Sequence, residues 1–187
     1  MLYFIALEIK GDPVCFYKKL NDHSYRYFGI EPLYQRMPFH ITLKPPFRYI
    51  GTPSFLIDVI GESVSGFEPF GIHLASVGHF GNKVIFVLPQ PVSPVIHLQR
   101  SIESKLSHTL PEFKKDGDKK RGNETKISSY KPHASLVRFL GKESFPQIWQ
   151  MAQKWFPERG WHIYFSEVSL FVNSKGRWEK EASITLG

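Results

Sequence analysis

Only one cysteine, Cys15, occurs in the 187 residues. That excludes an internal disulfide framework and any cysteine-ligated zinc site, and it fits a reducing compartment. Long apolar runs are also missing. The most apolar opening, Met1 to Leu7, is stopped by Glu8 and Lys10, far short of the roughly 20 residues a membrane span needs. It has no basic start of the kind a secretory signal carries. The expectation is a soluble, cytoplasmic protein with no membrane partner. No short-period repeat, no linker and no histidine–carboxylate cluster with metal-ligand spacing is found, so neither a metal nor another cofactor is expected. Acidic residues are outnumbered, 17 against 24 Lys and Arg, leaving a formal charge of +7. Such a surplus favours an anionic partner without naming it. Hydrophobic residues at 42% and charged residues at 22% are ordinary globular usage and exclude wholesale disorder.

What is present reads as mixed structure. Three helix starts share one signature, a polar residue followed by proline: Asp12-Pro13, Thr52-Pro53 and Ser93-Pro94. The polar side chain can accept from free first-turn amides, and proline has no amide to satisfy there. The third helix is reinforced by Val95, Leu98, Ile102 and Leu106 at helical spacing. A fourth helix is predicted from about Ser144 to Phe156, with Phe145, Ile148, Trp149, Ala152 and Trp155 as its buried stripe. Strand-like runs cover Leu2–Ile9, Phe39–Leu43, Phe67–Val77, Lys83–Leu88, His133–Phe139, Trp161–Val172 and Trp178–Leu186. Phe80-Gly81-Asn82-Lys83 reads as a hairpin turn. The predicted class is α+β with antiparallel sheet, in one domain, 1–187. The segment Lys114 to Lys126 has no apolar residue and reads as a solvated loop, or as a basic flap near a phosphate-bearing ligand.

The informative feature is a tetrapeptide that occurs twice: His40-Ile41-Thr42-Leu43, and 93 residues later His133-Ala134-Ser135-Leu136. On a strand, alternate side chains share a face. Each motif would therefore bury its aliphatic pair and hold an imidazole and a hydroxyl toward something polar. Pro38 and Pro132 precede the motifs, and Pro45-Pro46 is expected to end the first strand. Among eight histidines, composition alone gives a double match in roughly 2% of chains, so coincidence is a poor account. The other six, His23, His73, His79, His97, His108 and His162, fail the pattern.

Paired His-x-[Thr/Ser]-aliphatic motifs are the mark of the 2H phosphoesterases, and the sequence resembles that family, which includes 2′-5′ RNA ligase-like proteins and RNA 2′,3′-cyclic phosphodiesterases. The likeness extends through Pro38-Phe39-His40-Ile41-Thr42-Leu43, through Pro132-His133-Ala134-Ser135-Leu136-Val137-Arg138 with its basic residue two places after the leucine, and through Gly78 to Phe86, which is similar to the family's mid-chain hairpin. It implies two pseudo-symmetric lobes of antiparallel sheet with flanking helices around a central cleft.

In-line displacement at phosphorus needs a base on the attacking oxygen and an acid on the departing one. Two imidazoles with ordinary pKa near 6.5 can supply both states, so His40 and His133 are the candidate catalytic residues. Thr42 and Ser135 would donate to the non-bridging oxygens. Arg138 is the third phosphate-binding candidate, although on an ideal strand it is in phase with Leu136 and reaches the cleft only if the strand ends or twists. No metal is called for, because the histidines are needed for protons. The expected activity is hydrolysis of a 2′,3′-cyclic phosphate on an RNA 3′ end or a nucleotide. The resemblance implies cleavage of the bond to O3′ to leave a 2′-phosphate, reversal to form a 2′-5′ linkage, and His40 as acid with His133 orienting water. Phe39, Phe80 and Phe139 each offer a π face for a base. The chain is expected to act as a monomer. Two alternatives stand beside this reading: an RNA-binding protein with little catalysis, and a hydrolase of a small cyclic phosphate such as an ADP-ribose derivative.

Overall fold

A computed structural model describes residues 1–110, 113 and 130–187; the basic loop 114–126 anticipated from composition lies outside the described residues. Eight strands form one antiparallel sheet: β1 (Leu2–Glu8), β2 (His40–Arg48), β3 (Phe70–Phe80), β4 (Val84–Gln90), β5 (Ala134–Arg138), β6 (Trp161–Phe165), β7 (Glu167–Ser174) and β8 (Arg177–Thr185). Their order is β6-β3-β4-β5-β2-β1-β7-β8. The strands that carry the two motifs are therefore the central pair, with His40 opening β2 and His133 immediately before β5, joined at Ile41 opposite Ala134. Strands β6 and β7 stand at opposite sides of that order yet are separated in sequence only by Ser166. The sheet must curl until its two ends meet there, and Leu186 N–H donates to the Ser166 carbonyl at 2.9 Å.

Among the described residues four α-helices accompany the sheet: α1 (Asp12–Phe28), α2 (Pro53–Val64), α3 (Ser93–Thr109) and α4 (Phe145–Trp155). The first three begin within a residue of Pro13, Pro53 and Pro94, as the sequence predicts, and α4 begins at Phe145, one residue after the expected Ser144. The expected polar caps do not form. Gly11 and Val92 occupy two of the cap positions, and Thr52, which does hold one, makes no side-chain bond to the helix. Proline at the first turn leaves fewer amides to satisfy, so the start signal survives without the bond.

The helices exchange sides. Helix α1 connects β1 to β2 but packs on β5, while α3 connects β4 to β5 but packs on β2. This reciprocal crossing relates the two four-strand halves by an approximate twofold. Alternation along β1 sorts its side chains: Tyr3, Ile5 and Leu7 join the main core with the helices, whereas Phe4 and Ala6 face the other way with Phe171. The helix-covered face is the core, and the opposite face lines the cleft.

Two expectations about strand ends need correction. Pro45-Pro46 does not end β2, which continues to Arg48. Lys44 pairs with Ile5 and Phe47 with Tyr3, so the prolines sit in an irregularity of the ladder where missing amides cost little. The run Trp161–Val172 is two strands, because its first part pairs with β3 and its second with β1. Among the described residues no helix is long and apolar enough to cross a membrane.

Candidate active site

Ile41 faces Ala134 across the central seam, and both are fully buried in the core. Their neighbours along each strand must therefore point into the cleft. Extending the register by one residue on either side sets His40 opposite Ser135 and Thr42 opposite His133. The two imidazoles are then a diagonal pair, on positions about 7–8 Å apart in ordinary antiparallel geometry, with Cβ atoms somewhat closer. That gap suits a tetrahedral phosphate between the rings.

Both histidines are oriented the same way. His40 Nδ1 lies 2.7 Å from the Pro38 carbonyl, and His133 Nδ1 lies 2.8 Å from the Lys131 carbonyl. A carbonyl can only accept, so Nδ1 carries the proton in each neutral ring and Nε2 is left with a lone pair. His40 Nε2 is 3.1 Å from Thr42 Oγ1, which donates to it when the ring is neutral.

Their surroundings differ. His40 is 9% exposed and rests on Phe4 at 4.9 Å; Phe4 in turn stacks on Phe171 and meets Trp178 edge-on. Burial pushes the His40 pKa down to about 4, a fall only partly offset by its bond to Pro38 and deepened by Arg138 and His133. His133 is half-buried between Phe80 and Phe86, with ring centres 4.9 and 5.1 Å away. Its pKa is also lowered, first by burial and then by Arg138, against the opposing bond to Lys131. Phe86 can lie beside His133 because Gly78 is opposite it: a Cβ at residue 78 would come within 2.6 Å of the Phe86 ring.

Arg138 reaches the cleft through a bulge. Phe86 pairs with Ser135 but Ile85 pairs with Val137, so Leu136 is the extra residue on β5. Leu136 and Val137 both enter the core, which reverses the alternation and puts Arg138 on the histidine face. Buried Asn21 of α1 pins the bulge, donating to the Leu136 carbonyl at 2.7 Å while its Oδ1 accepts from Leu33 N–H at 2.8 Å. Arg138 Nη2 then donates to Ser135 Oγ at 3.0 Å. Its Nε is buried and finds no acceptor among the described residues. This group fits an anion with several oxygens.

An equivalent bulge follows the first motif. Ala6 pairs with Thr42 and Ile5 with Lys44, so Leu43 is its extra residue. Here the position matching Arg138 is Pro45. Lys44 instead turns to the helical side, 2.8 Å from Glu103 of α3.

All five side chains anticipated from sequence thus share one face. Of the three aromatic candidates, Phe39 does not: it is buried and stacks on Tyr17 at 4.6 Å. Phe80 and Phe139 remain exposed. Arg138, His133, Ser135 and Phe139 line a hollow of about 540 Å³ together with Lys83. Sequence reasoning missed Lys83, and also Phe4 and Phe86, the rings that hold the imidazoles. In strands whose residues are apolar on both faces, period-two reading cannot separate cleft from core.

Helices and a curled antiparallel sheet with His/hydroxyl pairs on its central strands define a two-lobed 2H phosphoesterase. The chain belongs to the 2′-5′ RNA ligase superfamily, whose family model matches residues 23–177. The structure is similar to TT0787 of Thermus thermophilus, at TM-score 0.68 and 15% identity, over 100% of this chain and 98% of that one. It is also similar to E. coli LigT, solved with NADP+ (TM-score 0.55, 14% identity, 98% of this chain and 96% of that one) and with 3′-AMP (TM-score 0.54, 15% identity, 98% and 97%). Among curated proteins no match is found.

Proposed function

We propose that the protein hydrolyses 2′,3′-cyclic phosphates of RNA ends or nucleotides to 2′-phosphates, using His40 and His133 as a complementary acid–base pair. The observation that carries this reading is the shared orientation of the two rings. Each gives its Nδ1 proton to a backbone carbonyl two residues earlier, which leaves Nε2 of both for proton transfer in one cleft.

Water attacks phosphorus, the new P–O bond forms, and the P–O3′ bond breaks. His133 Nε2 takes the water proton while His40 Nε2–H protonates O3′, leaving a 2′-phosphate and a 3′-hydroxyl. Which ring serves which oxygen follows the family resemblance. His40 is neutral in the free protein, but a phosphate anion beside it favours the protonated ring, so the substrate's charge brings the acid into its working state. Once His40 is protonated, its Nε2 no longer accepts from Thr42 Oγ1, so the ring presents Nε2–H to O3′ and the threonine hydrogen is free for a phosphate oxygen. Ser135 already accepts from Arg138, so its own hydrogen is available to another. A 5′-hydroxyl in the place of water attacks the same phosphorus, forms P–O5′ as P–O3′ breaks, and so makes a 2′-5′ linkage; the reverse of that step cleaves one. E. coli LigT, bound to 3′-AMP in one crystal structure, supports a nucleotide phosphate as the ligand class.

His40→Ala and His133→Ala are each expected to lower turnover of a 2′,3′-cyclic nucleotide by at least about 10³-fold, since general acid–base groups contribute about 10²–10⁴-fold each. EDTA should leave the parent's rate unchanged. A variant that retains most activity, or a rate abolished by EDTA, contradicts the proposal.

A further inference from the structure

A 2′,3′-cyclic phosphate can belong to a small molecule or to the end of a strand. A second surface bears on this. Phe139 follows β5 directly, at φ 64°, and is 82% exposed. A bulky residue in the left-handed region is strained, and strain of this kind collects at functional sites. Phe139 lines the hollow beside His133, and it also lines a second hollow of about 650 Å³ with Phe28, Ile30, Gln147, the cation Lys142 and the acid Glu143.

A third hollow lies along the exposed side of α1. His23 joins it to the second: its ring centre is 6.5 Å from Phe28, 4.5 Å from Tyr27 and 5.1 Å from Trp155 of α4. Lys18, Lys19 and Arg26 line this third hollow with a single acid, Asp22. Lys19 Nζ sits 4.5 Å over the Trp155 ring, and Tyr27 is 63% exposed. Among the described residues, none of Lys18, Lys19, Arg26 and Lys142 forms an ion pair. From the imidazoles, π faces and unpaired cations thus alternate along Phe139 and α1.

We infer that this track holds the body of a single-stranded RNA whose cyclic-phosphate 3′ end occupies the histidine cleft. The inference rests on the proposed function. A 2′,3′-cyclic phosphate terminates a strand, so the rest of that strand can leave the cleft only in its 5′ direction, and the track supplies a path. Aromatic faces with interleaved cations match bases joined by phosphates. The α1 portion from Cys15 to Phe28 is about 20 Å long, enough for about six nucleotides at a stacked spacing of about 3.4 Å.

The test compares a cyclic mononucleotide, a trimer and an octamer ending in a 2′,3′-cyclic phosphate. It also measures direct binding of an octamer ending in a 3′-phosphate. The parent is expected to use the octamer best and to lose that advantage as salt rises. Reversing charge in the Lys18→Glu/Lys19→Glu variant should lower octamer kcat/KM and binding by about tenfold, with the loss shrinking for the trimer; Trp155→Ala should lower octamer binding by about fivefold, as expected for one stacked base. Melting temperature and the far-ultraviolet spectrum report folding. Equal use of mononucleotide and octamer, or octamer binding untouched in both folded variants, overturns the track. Absence of turnover at every length strikes the catalytic reading instead, and octamer binding then still decides the track by itself.

Discussion

The two halves of the cleft start from one tetrapeptide pattern and provide different surroundings for it. Both place an imidazole with its Nδ1 on a carbonyl, a hydroxyl two residues on, and a bulge at the following leucine. In the first half the bulge is followed by Pro45, the ring is nearly covered, and the hydroxyl is spent on it. In the second the bulge delivers Arg138, the ring is more open, and the hydroxyl accepts from the guanidinium. Duplicated geometry supplies two equivalent proton carriers; the residues around them make one hard to protonate and give the other an anion-binding neighbour. Burial is the main cause of the lowered pKa of each ring, and the charge of Arg138 adds to it in both.

The largest difference between the halves should appear in acid. His40 has a pKa of about 4 in the folded protein and an ordinary one near 6.5 when unfolded. Between these values the unfolded chain binds more protons, so stability rises with pH across that window and falls as pH drops toward 4. The full difference is about 3 kcal/mol, and His40→Asn is expected to remove most of it from the pH dependence of urea unfolding. His133→Asn should remove less. Equal effects from the two variants break the asymmetry.

Arg138→Met keeps the bulge and removes the charge. It should cost about 10²-fold in kcat with cyclic nucleotide, the usual scale for losing one donor to the developing phosphate charge, and both imidazole pKa values should rise, as read by NMR titration. Unchanged pKa values would remove Arg138 from the cleft. Thr42→Val and Ser135→Ala are the smallest changes, each about tenfold in kcat. They should differ in kind: Thr42→Val also alters the His40 titration through the lost hydroxyl, whereas Ser135→Ala leaves it in place.

Much of this arrangement is legible in the sequence. Alternation in His40-Ile41-Thr42-Leu43 and His133-Ala134-Ser135-Leu136 correctly separates cleft from core, because polar and aliphatic residues alternate there. Proline marks the helix starts even though its polar neighbour makes no cap. What escapes is anything set by pairing between distant strands. The face of Arg138 depends on a bulge fixed by Asn21, 115 residues away from Leu136 in the chain. The break at Ser166 depends on where β6 and β7 find partners at opposite sides of the sheet. Phe39 reads as available because its strand position is visible in the sequence, whereas the Tyr17 ring of α1 that covers it is not.

The central claim is that the two imidazoles work as one acid–base pair, and the pH dependence of cyclic-nucleotide hydrolysis tests it most directly. Both rings have lowered pKa values in the free protein, and kcat/KM reports the free enzyme. The account predicts a bell for kcat/KM centred below about pH 6.5, with the kcat bell displaced to higher pH because bound phosphate favours the protonated rings. A flat profile, or a kcat/KM optimum well above neutrality, would contradict it.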